Sequence, residues 1–311
     1  MSKKIGFLVA ATKTTWQKYI KAFEHELTHN KGWTIGSGTG PKDVFIDYEP
    51  QTDANGNAID GAAGDLGLIQ QTAALFADPK SKCDVIVTAG TAAAQACQSA
   101  TKTKSIVFAS AGDPVGCGLV KSLQAPTGTN LTGCHNMQTD QGVMVTRIGG
   151  AQNLKTDAKK KIGVIGNDNP TVCPIDSALS LAWKNVPANT AVLIKLQPTD
   201  FQSRQSIQAA LTQYQNDVDV LLVCSDPLVS ANVAYLIQAA HNLGMKTMHE
   251  FREPKEDHGG DGYYVPSFKD LFIMAADMVD QILSGSKSAG DIDVYQPTIF
   301  EEELKSHAGR K

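Results

Sequence analysis

The chain alternates short apolar runs with stretches of helical periodicity, and residues 84–123 show this alternation most clearly. An apolar run at 85–87 ends at Gly90-Thr91, and an alanine-rich segment follows over 92–100. A second apolar run at 106–109 again ends in small residues. Continuous apolar strands separated by helices are typical of a parallel sheet with helices on its faces. Such sheets bind ligands at the carboxyl ends of their strands, so this stretch is predicted to form half of a binding site.

The same order of elements occurs twice along the chain. The first half starts with a strand over residues 5–10, and the pattern restarts with an apolar strand over 162–165. Each half predicts strand, helix, strand, helix, a strand ending in small polar residues, a further helix and a strand. After the second half, a helix is predicted over 269–283 and a last strand over 291–295. The repeat predicts an α/β protein of two similar Rossmann-like domains whose parallel sheets are flanked by helices.

The composition is that of an ordinary soluble globular protein. The 311 residues are 42% hydrophobic and 19% charged, and this length suits two α/β domains. A formal net charge of −4 and the lack of a dense Lys/Arg block argue against nucleic acid as a partner. No stretch approaches the roughly 20 apolar residues that a membrane-spanning helix needs. Residues 1–10 predict a strand rather than a signal peptide, so we expect either a cytoplasmic protein or a mature form whose export signal was removed.

Motifs that would indicate an enzyme or a metal site are missing, and no catalytic residue, metal ligand or cofactor is predicted. We find no P-loop, no full G-x-G-x-x-G after a strand and no G-x-S-x-G nucleophile elbow. The six cysteines lack zinc-ligand spacing; their even number leaves disulfides open, although burial as free thiols is favoured. His25 and His29 lie four residues apart on one helix face, which favours a solvated surface over a metal site. His249, Glu250 and His258 remain a minor candidate for metal binding or catalysis.

Small and polar residues at the predicted strand ends suit binding better than catalysis. The candidate ligand-binding residues are Thr12, Thr14, Gly90, Thr91, Ser110, Asn136, Asn167, Asp226 and Glu250, with Trp16 and Tyr264 beside the apolar part of a ligand. Backbone N–H groups at a helix start, together with the Thr91 hydroxyl, can bind a carboxylate. Asp226 can accept a charge-assisted hydrogen bond from an ammonium group. Each polar residue alone is more often a cap or a turn residue, but their joint placement in both halves favours a site.

Several sequence motifs resemble those of one protein family. They are Asp84-Val85-Ile86-Val87 with Gly90-Thr91-Ala92-Ala93-Ala94-Gln95, Ile106-Val107-Phe108 with Asp113-Pro114-Val115-Gly116, residues 118–123, 128–133, 162–165 with Asn167, and 282–285. The chain is similar to the ABC-transporter substrate-binding proteins with the type I periplasmic-binding-protein fold, in the branch that includes tryptophan- and phenylalanine-binding members. Ala92, where the family commonly has proline, and the segments 12–16 and 250–261 depart from the family pattern.

The resemblance implies two lobes hinged around a central cleft. The N-terminal lobe would comprise residues 1–135 and 266–290, and the C-terminal lobe 136–265 and 291–311. It implies a non-enzymatic receptor that closes on a small carboxylate-bearing molecule, such as an amino acid or aromatic acid, and delivers it to an ABC permease in the membrane. The protein is then expected to be a monomer, located in the periplasm or lipid-anchored at the cell surface, with its signal sequence absent from this chain.

The resemblance also divides the predicted site between the lobes. It implies that the Thr91 region and Ser110 serve the N-terminal half of the cleft, and Asn167 and Asp226 the C-terminal half. Two other functions remain open. An effector-binding core of a transcription regulator can share this fold, but it would need a DNA-binding head where only residues 1–4 precede the first strand. An α/β enzyme would have to use the residues His249, Glu250 or His258.

Overall fold

The protein is divided into two compact units, each with its own sheet. The computed structural model describes residues 2–36, 40–53, 55–137, 140–167, 190–224 and 227–305. The first unit contains Met1–Met137 and Ser267–Ile299, and the second contains Gln138–Pro266 and Phe300–Lys311. Within the described parts, no helix is long and apolar enough to cross a membrane.

Twelve strands and nine α-helices account for the regular structure of the described residues. The strands are β1 (Lys3–Val9), β2 (Thr34–Ile35), β3 (Asp43–Glu49), β4 (Val85–Ala89), β5 (Ser105–Ala111), β6 (Leu131–His135), β7 (Lys161–Asn167), β8 (Ala191–Leu196), β9 (Val218–Val223), β10 (Lys246–His249), β11 (Gly262–Pro266) and β12 (Phe300–Leu304). The helices are α1 (Lys13–His25), α2 (Leu66–Ala77), α3 (Thr91–Ala100), α4 (Gln141–Leu154), α5 (Arg204–Thr212), α6 (Pro227–Ala231), α7 (Val233–Asn242), α8 (Glu253–His258) and α9 (Phe268–Leu283).

The sheet of the first unit is parallel throughout, in the order β2-β3-β1-β4-β5-β6. Every residue of β4 is buried, which is why this strand reads as an unbroken apolar run rather than an alternating one. Helix α1 buries Trp16, Tyr19, Ile20 and Phe23, whose spacing of three and four residues places them on one face. Because all these strands run the same way, their carboxyl ends lie along one edge of the sheet.

The sheet of the second unit has the order β12-β11-β10-β9-β7-β8 and is parallel except at β12, which pairs antiparallel with β11. Its two faces carry separate cores. Leu221 and Val223 of β9 pack on one face with residues of α5 and α7, and Val220 and Leu222 pack on the other with residues of α4. The alternation along β9 follows from the pleat, which points successive side chains to opposite faces.

The segment after α9 differs from the sequence prediction. Residues 291–295 do not form a strand: a 3₁₀ turn spans Ala289–Asp291, and Tyr295 makes only an isolated bridge with Cys134. The Val294 N–H donates to the Leu123 carbonyl over 2.8 Å, which holds this segment in the first unit. The last strand is β12, so the boundary lies after Ile299 rather than after residue 290. The helix predicted around 176–184 lies outside the described residues.

Candidate functional site

The start of α3 is a helix end without a side-chain cap. Its N-cap is Gly90, and no side chain in the described part of the chain bonds to the first turn. The first bond of the helix runs from the Ala94 N–H to the Gly90 carbonyl, so the N–H groups of residues 91–93 precede the helical ladder. Gly90 has φ +103°, and a Cβ there would lie 3.2 Å from the Cβ of Ala10. A side chain would therefore be crowded at Gly90, and the helix start offers N–H donors that no group in the described residues binds.

Two buried hydroxyl groups lie beside this helix start. The Thr91 hydroxyl oxygen accepts a hydrogen bond from the Gly112 N–H at 2.9 Å. The Ser110 hydroxyl oxygen accepts from the side-chain amide of Asn136 at 3.0 Å. Because both oxygens act as acceptors in these bonds, each hydroxyl keeps its own hydrogen to donate. The structure thus brings together Gly90, Thr91, Ser110 and Asn136, four of the residues singled out in the sequence.

His135 completes the hydrogen bonds at these strand ends. Its ring nitrogen Nε2 lies 2.8 Å from the Gly112 carbonyl, the same residue whose N–H is bound by Thr91. The Asn136 N–H donates to the Ala111 carbonyl at 2.9 Å. The ends of β4, β5 and β6 are therefore joined by polar bonds, which fixes the positions of the Thr91 and Ser110 hydroxyls.

The backbone N–H groups at the start of α1 already bind side chains of the protein itself. The Thr12 side chain caps the helix by accepting from the Thr15 N–H at 3.3 Å. The Thr14 N–H donates to both carboxylate oxygens of Asp60, at 3.0 and 3.2 Å. An anionic group of the chain itself thus occupies the position at which α1 would bind a ligand carboxylate. Of the two helix starts that the sequence singled out in this unit, α3 is the open one.

Trp16 lies in an aromatic cluster of the first unit. Its ring stacks on Phe272 at a centroid distance of 5.5 Å and meets Phe268 edge-on at 5.5 Å. Tyr19 packs against the same two rings, and Trp16 is only 4% exposed. These contacts account for Trp16 as a core residue that joins α1 to α9, and its role beside a ligand stays a prediction.

In the second unit, Glu250 follows β10 and forms a buried ion pair with Arg147 of α4. The two side chains are 2% and 1% exposed, and the Arg147 Nη1 lies 2.7 Å from the Glu250 Oε1. The Arg147 Nε donates to the Tyr264 carbonyl at 3.0 Å, and the Tyr264 ring stacks on Phe300. Arg147 therefore connects two of the predicted residues, Glu250 and Tyr264, through its guanidinium group.

The two remaining candidates, Asn167 and Asp226, belong to the second unit. Asn167 is the last residue of β7 and pairs with Leu196 of β8, and nothing is described of its side chain. Asp226 lies outside the described residues. The roles of both in ligand binding stay predictions.

The minor metal candidate is not supported in the second unit. His249 is buried, and burial lowers its pKa to about 3, so its ring is neutral at physiological pH; the lack of further ligands among the described residues, and not this neutrality, argues against a metal there. The neighbouring His241 donates from Nε2 to the buried Asp261 carboxylate at 2.8 Å, because a carboxylate only accepts. Among the described residues, no group of three or more His, Cys, Asp or Glu side chains could hold a metal ion.

The described cysteines are free thiols: Cys83, Cys97, Cys117, Cys134 and Cys224. Cys173 lies outside the described residues. Burial raises the pKa of the Cys97 thiol to about 12 and also raises that of Cys134, which keeps both protonated and unreactive. For these five residues the structure favours the free-thiol interpretation over disulfides.

Sequence reasoning missed Arg147, Asp60 and His135. Arg147 did carry a signal, because it is the one charged residue in the α4 sequence QGVMVTRIGGAQNL. A single arginine in a helix that covers a sheet needs a buried acidic partner. Asp60 and His135 carried no comparable signal, because their partners are backbone groups distant in sequence.

Comparison with known proteins identifies the family of this chain. The family model described as ABC transporter substrate binding protein matches residues 47–302. A tyrosine-binding protein from Clostridioides difficile (strain R20291) is 29% identical over 288 residues, covering 92% of this chain and 72% of that protein.

Solved structures share the fold at lower sequence identity. A conserved domain protein from Vibrio cholerae O1 biovar eltor is 23% identical with a TM-score of 0.76, covering 98% of this chain and 92% of that chain. An ABC domain in complex with L-Trp from Streptococcus pneumonia is 21% identical with a TM-score of 0.75, covering 97% and 92%. These structures show the shared fold, and the family match over residues 47–302 shows that the chain belongs to the ABC transporter substrate-binding proteins, a family of extracytoplasmic receptors.

Proposed function

We propose that this protein is the solute receptor of an ABC importer and binds an amino acid or aromatic acid with the ligand carboxylate at the start of α3. The open N-terminus of α3 is the observation that carries the proposal. It presents N–H donors and the positive end of the helix dipole, and Thr91 and Ser110 add hydroxyl donors beside it. The helix dipole contributes about 0.3–1 kcal/mol to such a contact, and each hydrogen bond to a charged group about 1.5–3 kcal/mol.

The contrast with α1 supports this choice of helix. Asp60 already places a carboxylate on the first turn of α1, which shows the kind of group that such a helix start accepts in this unit. At α3 the chain supplies no comparable group in its described parts. A ligand carboxylate is the simplest anion that satisfies the same donors.

The proposal also includes two residues of the second unit. We propose that Asn167 and Asp226 bind the polar groups of the ligand there, with Asp226 accepting from an ammonium group. Closure of the two lobes on the ligand would follow from the higher affinity of the closed form. The receptor would act without catalysis, as a monomer in the periplasm or lipid-anchored at the cell surface, and would deliver its ligand to an ABC permease.

Known ligands of similar proteins indicate which compounds to test first. One relative is a tyrosine-binding protein and one solved structure holds L-Trp. A thermal-shift screen over amino acids and aromatic acids should identify a ligand, because saturation at 100 times its dissociation constant adds about 2.7 kcal/mol to stability. We expect L-tyrosine or L-tryptophan to bind, and the decarboxylated analogues tyramine and tryptamine to bind at least about tenfold more weakly.

A matched pair of variants tests the position of the carboxylate. Thr91→Val removes the hydroxyl at almost unchanged volume and is expected to weaken binding of the identified acid about tenfold or more. The control is Thr146→Val, which is expected to leave the affinity for the ligand unchanged. The Thr146 hydroxyl donates only within α4, to the Gly142 carbonyl. Equal binding by wild type and Thr91→Val, or a ligand that lacks any anionic group, would show the proposal to be wrong.

A further inference from the structure

Two exposed histidines lie at the point where α1 changes its winding. The α-helix ends at His25, and a π-helical turn spans Glu26–Asn30 with a bond from the Lys31 N–H to the Glu26 carbonyl at 3.1 Å. The rings of His25 and His29 stack with a centroid distance of 4.1 Å and an interplanar angle of 9°. Single π turns are rare and are often found at functional sites, so this pair calls for a specific explanation.

The π turn explains why the two rings overlap. A regular α-helix has 3.6 residues per turn, which leaves positions i and i+4 offset around the axis. The wider π turn after His25 takes up this offset and aligns His29 with His25. The local winding thus holds two imidazole groups face to face on the surface.

The tautomer of His29 is set by its neighbours. Its Nδ1 lies 2.8 Å from the Thr28 hydroxyl oxygen and 3.3 Å from the His25 carbonyl, which can only accept. The Thr28 hydroxyl in turn donates to the Glu24 carbonyl at 2.9 Å, so its oxygen is an acceptor towards His29. These bonds place the proton of the neutral ring on Nδ1 and leave Nε2 with its lone pair. Metal-binding histidines are oriented by second bonds of this kind.

We propose that His25 and His29 bind one divalent transition-metal cation of the class that prefers imidazole, namely Cu²⁺, Ni²⁺ or Zn²⁺. Two nitrogen ligands at about 2.0–2.1 Å from a metal lie roughly 3.0–3.4 Å apart, so the two exposed rings, now stacked at a centroid distance of 4.1 Å, must turn toward each other before both nitrogens reach one metal. The His side chain has a broad preference at χ2, which makes such a rotation easy. No third His, Cys, Asp or Glu in the described residues joins the pair, so the proposed site has two ligands from that part of the chain.

Titration of the full chain, prepared without a histidine tag, tests the proposal. Isothermal titration with CuCl₂, NiCl₂ and ZnCl₂ should show one site, with Cu²⁺ bound most tightly. Electron paramagnetic resonance of the Cu²⁺ form should show two coordinated imidazole nitrogens. His25→Ala and His29→Ala are each expected to weaken binding at least about tenfold, and the double variant should lose the site.

Two further variants separate this site from other histidines and test the role of Thr28. His258→Ala removes an exposed histidine of the second unit and should leave metal binding unchanged. Thr28→Val removes the acceptor that orients His29 and is expected to weaken binding about tenfold. Wild-type affinity in the His25→Ala/His29→Ala variant would overturn the site, and wild-type affinity in Thr28→Val would overturn the assigned tautomer.

Discussion

Removal of one charge from the Arg147–Glu250 pair should strongly destabilise the second unit. Both side chains are almost fully buried, at 1% and 2% exposure, and their charged atoms are 2.7 Å apart. Glu250→Gln keeps the shape of the side chain but removes its negative charge. It leaves the Arg147 guanidinium buried without that counter-charge, and we expect a loss of about 3–5 kcal/mol in the free energy of unfolding.

The magnitude follows from the balance between attraction and desolvation. At 2.7 Å and an effective dielectric constant of 20, the attraction between the two charges is about 6 kcal/mol. Burial of each ion costs several kcal/mol, which offsets most of this attraction. A single substitution removes the attraction but keeps one of the two costs. The double variant Arg147→Met/Glu250→Gln removes both, so its loss should fall short of the sum of the single losses by about 2–3 kcal/mol.

Urea unfolding of the four proteins at pH 7.5 measures this cycle. Hydrogen exchange of peptides from α4 and β10 should accompany it, because two units of one chain can unfold separately. The control is Glu256→Gln, which breaks the exposed pair between Arg252 and Glu256 and should cost less than about 0.5 kcal/mol. A loss for Glu250→Gln no larger than for Glu256→Gln would refute the reasoning, as would additive losses in the cycle.

Three further predictions concern the pH response, the sheet and the aromatic core. Burial lowers the pKa of His249 from 6.5 to about 3, so the unfolded chain binds more protons than the folded chain between these two values. The free energy of unfolding should therefore fall by about 2 kcal/mol from pH 7.5 to pH 5. Urea unfolding at each pH should show that His249→Phe removes this part of the pH dependence. A Cβ at Gly133 would lie 2.1 Å from the Phe108 carbonyl oxygen, so Gly133→Ala should lower the stability by at least about 1–3 kcal/mol in thermal unfolding. The control is Gly149→Ala, because a Cβ at Gly149 within α4 meets open space and should stabilise the protein by about 0.5–1 kcal/mol. Phe272→Ala should cost about 3–5 kcal/mol by urea unfolding; a loss below 1 kcal/mol would contradict its place in the core.

The parallel strands could be predicted from the sequence because a strand that is buried on both faces consists of a continuous run of apolar residues. β4 and β5 appear in the sequence as continuous apolar runs that end in small residues. β12 left no such trace: its sequence FEEEL carries three glutamates at the sheet edge, where only its pairing with β11 makes it a strand. The predicted strand at 291–295 was wrong because its apolar residues pack against the first unit without entering the sheet.

The candidate site was predictable in position but not in partners. Placement of polar residues at strand ends follows from parallel topology, and it led to Gly90, Thr91 and Ser110. The bond from Gly112 to Thr91 and the ion pair between Arg147 and Glu250 join residues 21 and 103 positions apart. Periodicity describes neighbours within an element, so it cannot show which distant group a polar side chain meets.

The difference between α1 and α3 depends on those distant partners. Both helices begin at the carboxyl end of a buried strand and both starts contain threonine, but α1 has Thr12 as its N-cap and α3 has Gly90. At α1 the loop that follows β3 returns Asp60 to the first turn and satisfies its donors. At α3 the N-cap is Gly90, which has no side chain to accept those donors, and Thr91 turns its oxygen to Gly112. The helix start that the protein leaves open is therefore the one at which a ligand gains most, because any anion bound there satisfies donors that would otherwise depend on water.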